Sequence, residues 1–508
     1  MRAFGLISIC GLLLACQEPE TPIEIYETSA AGNQMKLLET SKSNPETTND
    51  ELRIKIDTDK EFQTITGFGG SFTEASAYLL SELSAAKRKE LLEAYFGSSG
   101  SRYSLTRTHI NSCDFALGQY AYANVPGDTL LQHFDISHDE KYLIPMMKQA
   151  MDLSEDGFHI ISSPWTAPPW MKDNNSWVGG QLLPEYRKTW ALYFAKYIRE
   201  YEKRGIPIWG ITVENEPLGN GNNWESMHFS AQEMTDFVQF HLGPVLAQEG
   251  LDRIKILGYD QNRDELKHWV DVMYKDSATA RYLDGTAIHW YASTYKVFEE
   301  ELDYANTKAP DKHLIQTEAC VDAEVPAWKN DDWYWNKNAT DWGFEWAPEE
   351  LKHLHPRYIP AYRYARDIIG CLNHGVDGWV DWNMVLNRQG GPNWFENWCV
   401  APVIVDTSED EIYYTPLFYV MQHFSKFIRP GARRLSAKSS DQVLLVTAAK
   451  NVDESLVVIV FNPTDQRKRI GLTTDDLEWH FTIDAKALQT VLIGNKGSSS
   501  KSNQKSKL

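Results

Sequence analysis

Short apolar runs and longer amphipathic stretches alternate along most of this chain. The runs Thr64–Phe68, Tyr103–His109, Phe158–Ser163, Ile208–Val213, Ile254–Gly258, Ala287–Trp290, Leu314–Thr317 and Gly378–Trp382 have the length of buried strands. Between them lie stretches with helical spacing of apolar residues, such as Pro184–Glu202, Ala231–Gln248 and Arg357–Leu372. Eight strands alternating with helices predict an α/β fold, a (β/α)8 TIM barrel, although a doubly wound sheet shares that local signature. The barrel is favoured because Glu216, Glu318 and Asn383 fall just past strand ends, where a barrel keeps its site.

After Phe424 the period changes. Gln442–Ala448, Ser455–Phe461, Lys468–Gly471, Trp479–Asp484 and Leu488–Ile493 read as short strands joined by turns. They predict an attached antiparallel β-sandwich domain, completed by strands from before the barrel. Those N-terminal strands are expected around Ile23–Tyr26, at Met35–Leu38, and at Leu52–Ile56, where apolar and polar residues alternate. The expected organisation is a leader over 1–16, a polar linker with the first sandwich strands over 17–50, and a strand leading into the barrel over 51–65. The barrel follows over 66–424, then the sandwich over 425–494 and a Ser/Lys-rich disordered tail over 495–508.

The leader has a charge at Arg2 and an apolar run from Leu6 to Leu14, too short to span a membrane. It ends in Leu13-Leu14-Ala15-Cys16, which resembles the lipobox of bacterial lipoproteins. That resemblance implies export, cleavage before Cys16 and a lipid anchor on its thiol. The expected location is the bacterial outer membrane, on its periplasmic or outer surface.

Composition sharpens the functional question. The 508 residues include 18 Trp, 24 Tyr and 20 Phe. Indole rings stack on the C–H faces of sugars, and their N–H bonds ring hydroxyls, so the excess leans towards a carbohydrate partner. A net charge of −20 excludes the basic patches that phosphate backbones demand, so no nucleic-acid partner is expected. Cys113, Cys320, Cys371 and Cys399 lack metal-ligand spacing and are read as free, buried small residues; no metal is expected.

Two carboxylates stand out. In Ile211-Thr212-Val213-Glu214-Asn215-Glu216-Pro217 a strand runs into Asn-Glu-Pro, and the proline ends ladder pairing with Glu216 at the strand's mouth. In Leu314-Ile315-Gln316-Thr317-Glu318-Ala319-Cys320 a second strand ends on a carboxylate among apolar neighbours, where a lone Glu is costly unless paired or functional. Glycoside hydrolysis needs such a pair, one acid and one nucleophile or base, and a separation near ~5 Å means retention of configuration. The structural alternatives are a solvated acidic loop for the first and an ion pair with Arg107 for the second.

The ordered segments Phe68-Gly69-Gly70, Tyr103-Ser104-Leu105-Thr106-Arg107, Ser112-Cys113-Asp114-Phe115, Ser163-Pro164-Trp165-Thr166 and Glu214-Asn215-Glu216-Pro217 resemble glycoside hydrolase family 30. So do His289-Trp290-Tyr291, Thr317-Glu318-Ala319-Cys320-Val321, Asp381-Trp382-Asn383, Gly390-Gly391-Pro392-Asn393-Trp394 and His423-Phe424-Ser425-Lys426-Phe427. The resemblance implies a barrel with an attached β-sandwich, double displacement with retention, and no cofactor. It implies Glu216 as acid/base, Glu318 as nucleophile and Asn215 on the sugar 2-hydroxyl. Asp114, Trp165 and Trp382 would grip the other hydroxyls, Arg107 and Tyr291 would hold Glu318 ionised, and His289 and Asn397 would line the pocket.

Two regions depart from that pattern. Leu218-Gly219-Asn220-Gly221-Asn222-Asn223-Trp224 is short and polar, and Trp328 to Trp346 is rich in Trp, Asp and Asn. Loops at this face shape the leaving-group side, and aromatic residues interleaved with polar ones suit a further sugar better than a lipid tail. The expected substrate is β-1,6-linked glucose in a β-glucan, cut exo or endo. The alternatives are a plain β-glucosidase or glucosylceramidase, a xylan- or fucose-directed enzyme, and a catalytically silent surface glycan-binding lipoprotein.

Overall fold

The computed structural model describes residues 23–38, 51–220, 223–293, 296–322, 359–475 and 477–494. The leader, the tail and the stretch Trp328 to Trp346 lie outside the described residues. Eight parallel strands close a barrel in sequence order: β1 Gly67–Phe72, β2 Leu105–Ile110, β3 His159–Pro164, β4 Gly210–Thr212, β5 Lys255–Asn262, β6 Gly285–His289, β7 His313–Glu318 and β8 Gly378–Asn383. β8 pairs with β1 through Gly378↔Gly67 to Asp381↔Gly70, which closes the ring and excludes the doubly wound alternative.

Leu105, Ile161, Leu257, Ala287, Ile315 and Val380 point inward and fill the barrel. Glycine appears where strands crowd: a Cβ on Gly69 would sit 2.0 Å from the Leu105 carbonyl oxygen. Helices follow each strand, and short polar residues start several of them. Thr73 accepts from the Ser76 N–H at the head of Glu74–Glu82, Ser84 from the Lys87 N–H at the head of Ala85–Phe96, and Ser230 forms a capping box with Glu233. The expected helix over 231–248 is present, with one π-helical turn at Val238–Leu242.

The second domain is built on a nine-stranded sheet that joins three N-terminal strands, Ile23–Ser29, Lys36–Leu38 and Leu52–Thr64, to six C-terminal ones. Ile25, Ile54, Ile56, Val458, Val460, Ile470 and Val491 form its own core. Two details correct the sequence reading. Arg433–Ser439 is a strand that the reading lacks, hidden by its basic and polar composition; it pairs with Leu52–Thr64. The sheet is also not wholly antiparallel, because Lys468–Thr473 runs parallel to Leu52–Thr64. Among the described residues no helix is long and apolar enough to cross a membrane.

Candidate active site

The C-terminal ends of the barrel strands bring the two carboxylates together. Glu318 is the last residue of β7, and Glu216 lies four residues beyond β4 in a left-handed conformation at φ 49°. That backbone is uncommon for a non-glycine residue and is held by its neighbours. The Glu216 N–H donates to the Asp260 carbonyl, its carbonyl accepts from Gly219, and the Asn215 N–H donates to the Pro164 carbonyl. A carboxylate oxygen of Glu216, one of Glu318 and a ring nitrogen of His289 all lie within 4.8 Å of one another. The nearest oxygens of the carboxyl pair thus have the short spacing that goes with retention, rather than the ~6.5–9.5 Å separation of an inverting pair.

Glu318 is tightly bound on both oxygens. One accepts from Arg107 Nη1, and the other accepts from the Tyr291 hydroxyl at 2.9 Å. Burial raises the Glu318 carboxyl, and the nearby Glu216 charge adds to this, while His289, Arg107 and the Tyr291 bond oppose both. Arg107 is fully buried and serves three further groups: Ser163 Oγ at 3.0 Å, Asn215 Oδ1 at 2.8 Å and Asp260 Oδ2 at 2.8 Å. Its guanidinium also lies over Trp165 and Trp382, 4.9 and 5.4 Å from the ring centroids. Those two indoles stack on each other at 5.0 Å, and Phe115 meets Trp382 edge-on.

Asp114 accepts from Asn397 Nδ2 at 3.0 Å, which joins the loop after β2 to the loop after β8. Burial, and then the charge of Glu318, hold its carboxyl well above the usual range. All ten residues singled out from the sequence are thus described, in one continuous network or packed against it. Asn383 is not among them: its Oδ1 accepts from the Thr73 hydroxyl at 2.7 Å, at the head of a helix. Glu214 also corrects the picture of a solvated acidic loop. It is fully buried, and burial pushes its carboxyl well above the usual range, opposed by Lys172.

One member of the network escaped the sequence reading. Asp260 accepts from Arg107, from His289 Nε2 at 3.0 Å and from the Thr317 hydroxyl at 2.6 Å. Strand β5 runs to Asn262 rather than stopping at Gly258, because Tyr259 and Asp260 take positive φ values of 74° and 60° and insert a bulge. The polar run Tyr259-Asp260-Gln261-Asn262 was its only signal. Asn262 Oδ1 also accepts from the Tyr291 N–H at 2.8 Å and so fixes the tyrosine.

His289 faces Asp260 on one nitrogen and Glu216 on the other, 3.4 Å away. Burial alone would lower its pKa, but the charges of Glu318 and Asp260 raise it from 6.5 to about 9. A group raised on folding stabilises fully below its unfolded value and loses that contribution as pH passes the folded one. The wild-type melting temperature is therefore expected to fall between pH 6.5 and about 9 more steeply than that of a His289→Gln variant. Parallel curves would place no charge on His289. Glu216, His289 and Glu318 are also the described residues that could hold a metal ion, although Arg107, Tyr291 and Asp260 already engage two of the three.

Comparison with known proteins places this geometry in a family. The description "Glycosyl hydrolase family 30 TIM-barrel domain" matches residues 65–342 and 351–428, and "Glycosyl hydrolase family 30 beta sandwich domain" matches residues 431–491. The chain is 33% identical over 468 residues to the lysosomal acid glucosylceramidase of Mus musculus, covering 90% of this chain and 86% of that one. Its fold is similar to that of SrfJ from Salmonella typhimurium, with TM-score 0.82, 29% identity and coverage of 93% and 100%. It is also similar to the endo-β1,6-glucanase BT3312, with TM-score 0.79, 26% identity and coverage of 93% and 99%. With barrel and sandwich both matched, and the paired carboxylates at the mouth of the barrel, the chain belongs to glycoside hydrolase family 30.

Proposed function

We propose that the enzyme cleaves β-1,6-linked glucose by double displacement, with Glu318 as nucleophile and Glu216 as acid/base. The close pair of carboxylates at the ends of β4 and β7 carries this reading. In the first step a Glu318 oxygen attacks the anomeric carbon while Glu216 protonates the departing oxygen. In the second, Glu216 takes a proton from water, which attacks the same carbon and releases Glu318. Arg107 and Tyr291 keep Glu318 anionic and aimed, and Asn215, held by Arg107, meets the 2-hydroxyl. His289, charged and anchored on Asp260, faces the anion left on Glu216 after proton delivery. Trp165, Trp382, Asp114 and Asn397 form the wall for the remaining hydroxyls.

Replacing Glu216 with Ala is expected to slow unactivated substrates by roughly 10²–10⁴-fold. Glycosides with very acidic leaving groups should keep much of their first step, and added azide should restore the second. Equal loss on both substrate kinds, with no azide rescue, would remove Glu216 from this role.

Support for a glucan comes from the rim. Trp224 meets Phe395 edge-on at 5.6 Å, Trp394 meets Phe395 at 5.5 Å, and the Trp394 N–H donates to the Cys113 carbonyl and to Glu225. Partly exposed aromatic faces beside Asn220, with Glu225 buried beneath them, suit a second sugar ring better than an aliphatic chain. The likeness to an endo-β1,6-glucanase supports the same linkage. The test is product analysis on a β-1,6-glucan, a branched β-1,3/1,6-glucan and a glucosyl lipid. Glucose or a ladder of β-1,6 oligosaccharides supports the reading, and activity on the glucosyl lipid alone contradicts it. The lipobox-like leader supports an exported enzyme anchored through Cys16. The mature protein should then enter the detergent phase, and Cys16→Ala should leave it in water; no difference would reject the anchor.

A further inference from the structure

Cys320 and Cys399 lie close together within the wall of the site. Their sulfurs are 3.0 Å apart, and both side chains are buried. The two-stranded ladder beside them pairs Val321 with Val400 and Asp322 with Cys399. Each cysteine is two residues from the site. Cys320 follows Glu318 on the exit from β7, and Cys399 follows Asn397, which holds Asp114. Both belong to the same apolar cluster as Trp165, Trp382 and Tyr291.

A disulfide requires its sulfurs to close to ~2.05 Å, so a shift of about one ångström would suffice. The backbones are already held in register: the Trp382 N–H donates to the Ala319 carbonyl, the Trp290 indole N–H to the Cys320 carbonyl, and the Cys399 N–H to the Gly390 carbonyl. From this geometry we infer that Cys320 and Cys399 form a reversible disulfide that clamps the nucleophile's strand to the loop carrying Asn397.

The bond forms by thiol–disulfide exchange with a small-molecule or protein disulfide. The thiolate of the more accessible Cys320 attacks one sulfur of that oxidant and expels a thiolate, giving a mixed disulfide. The Cys399 thiolate then attacks the Cys320 sulfur and expels the second. Two thiol protons are released, and the two electrons end on the oxidant, now two thiols. Closing the long excursion between residues 320 and 399 restricts the unfolded chain and fixes both sides of the pocket.

The test uses the full chain incubated with oxidised glutathione or with dithiothreitol, followed by alkylation and peptide mapping. The oxidised sample is expected to yield a Cys320–Cys399 linked peptide, while Cys113, fully buried in the same cluster, and Cys371, buried in the main core, are alkylated only after denaturation. Its melting temperature should exceed that of the reduced sample by several degrees, and its KM should be several-fold lower with kcat little changed. Cys399→Ala should melt alike under both conditions and show no difference in KM between them. Mapping and melting involve no substrate, so they stand apart from the assignment of Glu318 and Glu216. Absence of the linked peptide after oxidation overturns the inference, as does a linked form that matches the reduced enzyme in melting temperature and KM.

Discussion

Glu318→Gln is expected to lower turnover of an unactivated β-glucoside by roughly 10⁴-fold or more, while the protein still folds and binds its substrate. The amide is isosteric and cannot form the glycosyl ester. Arg107 retains Asp260 as an ionic partner, so no buried cation is left alone. The measurement is steady-state kinetics beside a binding isotherm for the same variant. A turnover within tenfold of the wild type, with the fold intact, would assign the nucleophile elsewhere.

Arg107→Met is expected to be the most damaging substitution for stability. Arg107 is the buried cation shared by Asp260 and Glu318, and its own exposure is nil. Removing one partner from a buried ion pair costs about 3–5 kcal/mol, because a charge is left without compensation. Here two carboxylates lose their shared cation, Asp260 left with His289 and Thr317 and Glu318 with Tyr291, and Asn215 and Ser163 lose their donor. Chemical denaturation should show a loss of this size, and kcat/KM should collapse with it. Arg107→Lys should recover part of the stability but little activity, since an ammonium cannot serve four acceptors in a planar fork. A Met variant as stable as the wild type would mean that the network does not bear on folding.

Much of this was legible in the chain. A β-barrel strand is a short apolar run ending in function, and Glu216 and Glu318 announce themselves as carboxylates at such ends. The sequence motifs brought Arg107, Asn215, His289, Tyr291 and the two stacked indoles to the same place, because His289, Tyr291, Trp165 and Trp382 sit at or just beyond strand ends, Asn215 three residues past one, and the long Arg107 side chain reaches Glu318 from within its strand. Asp260 was not legible. Its position depends on a bulge made by two left-handed residues, and nothing in their side chains demands that backbone. Asn383 ends its strand as expected, and there its amide oxygen accepts from the Thr73 hydroxyl at a helix head. The abundance of Trp was ambiguous evidence. Trp165 and Trp382 line the site, but Trp190 and Trp269 are core residues on helices, and Trp379 packs into the core from the same strand as Trp382. In the second domain, strand Arg433–Ser439 carries too many polar residues to show the period that its buried face requires.

The most direct test of the central claim is the stereochemistry of the first product, followed by proton NMR from the moment enzyme is added to a β-glucoside. Carboxylates this close match a retaining pair, so the β-anomer should appear first and the α-anomer only later, by mutarotation. Initial release of the α-anomer would mean single displacement by water, and would contradict Glu318 as a nucleophile.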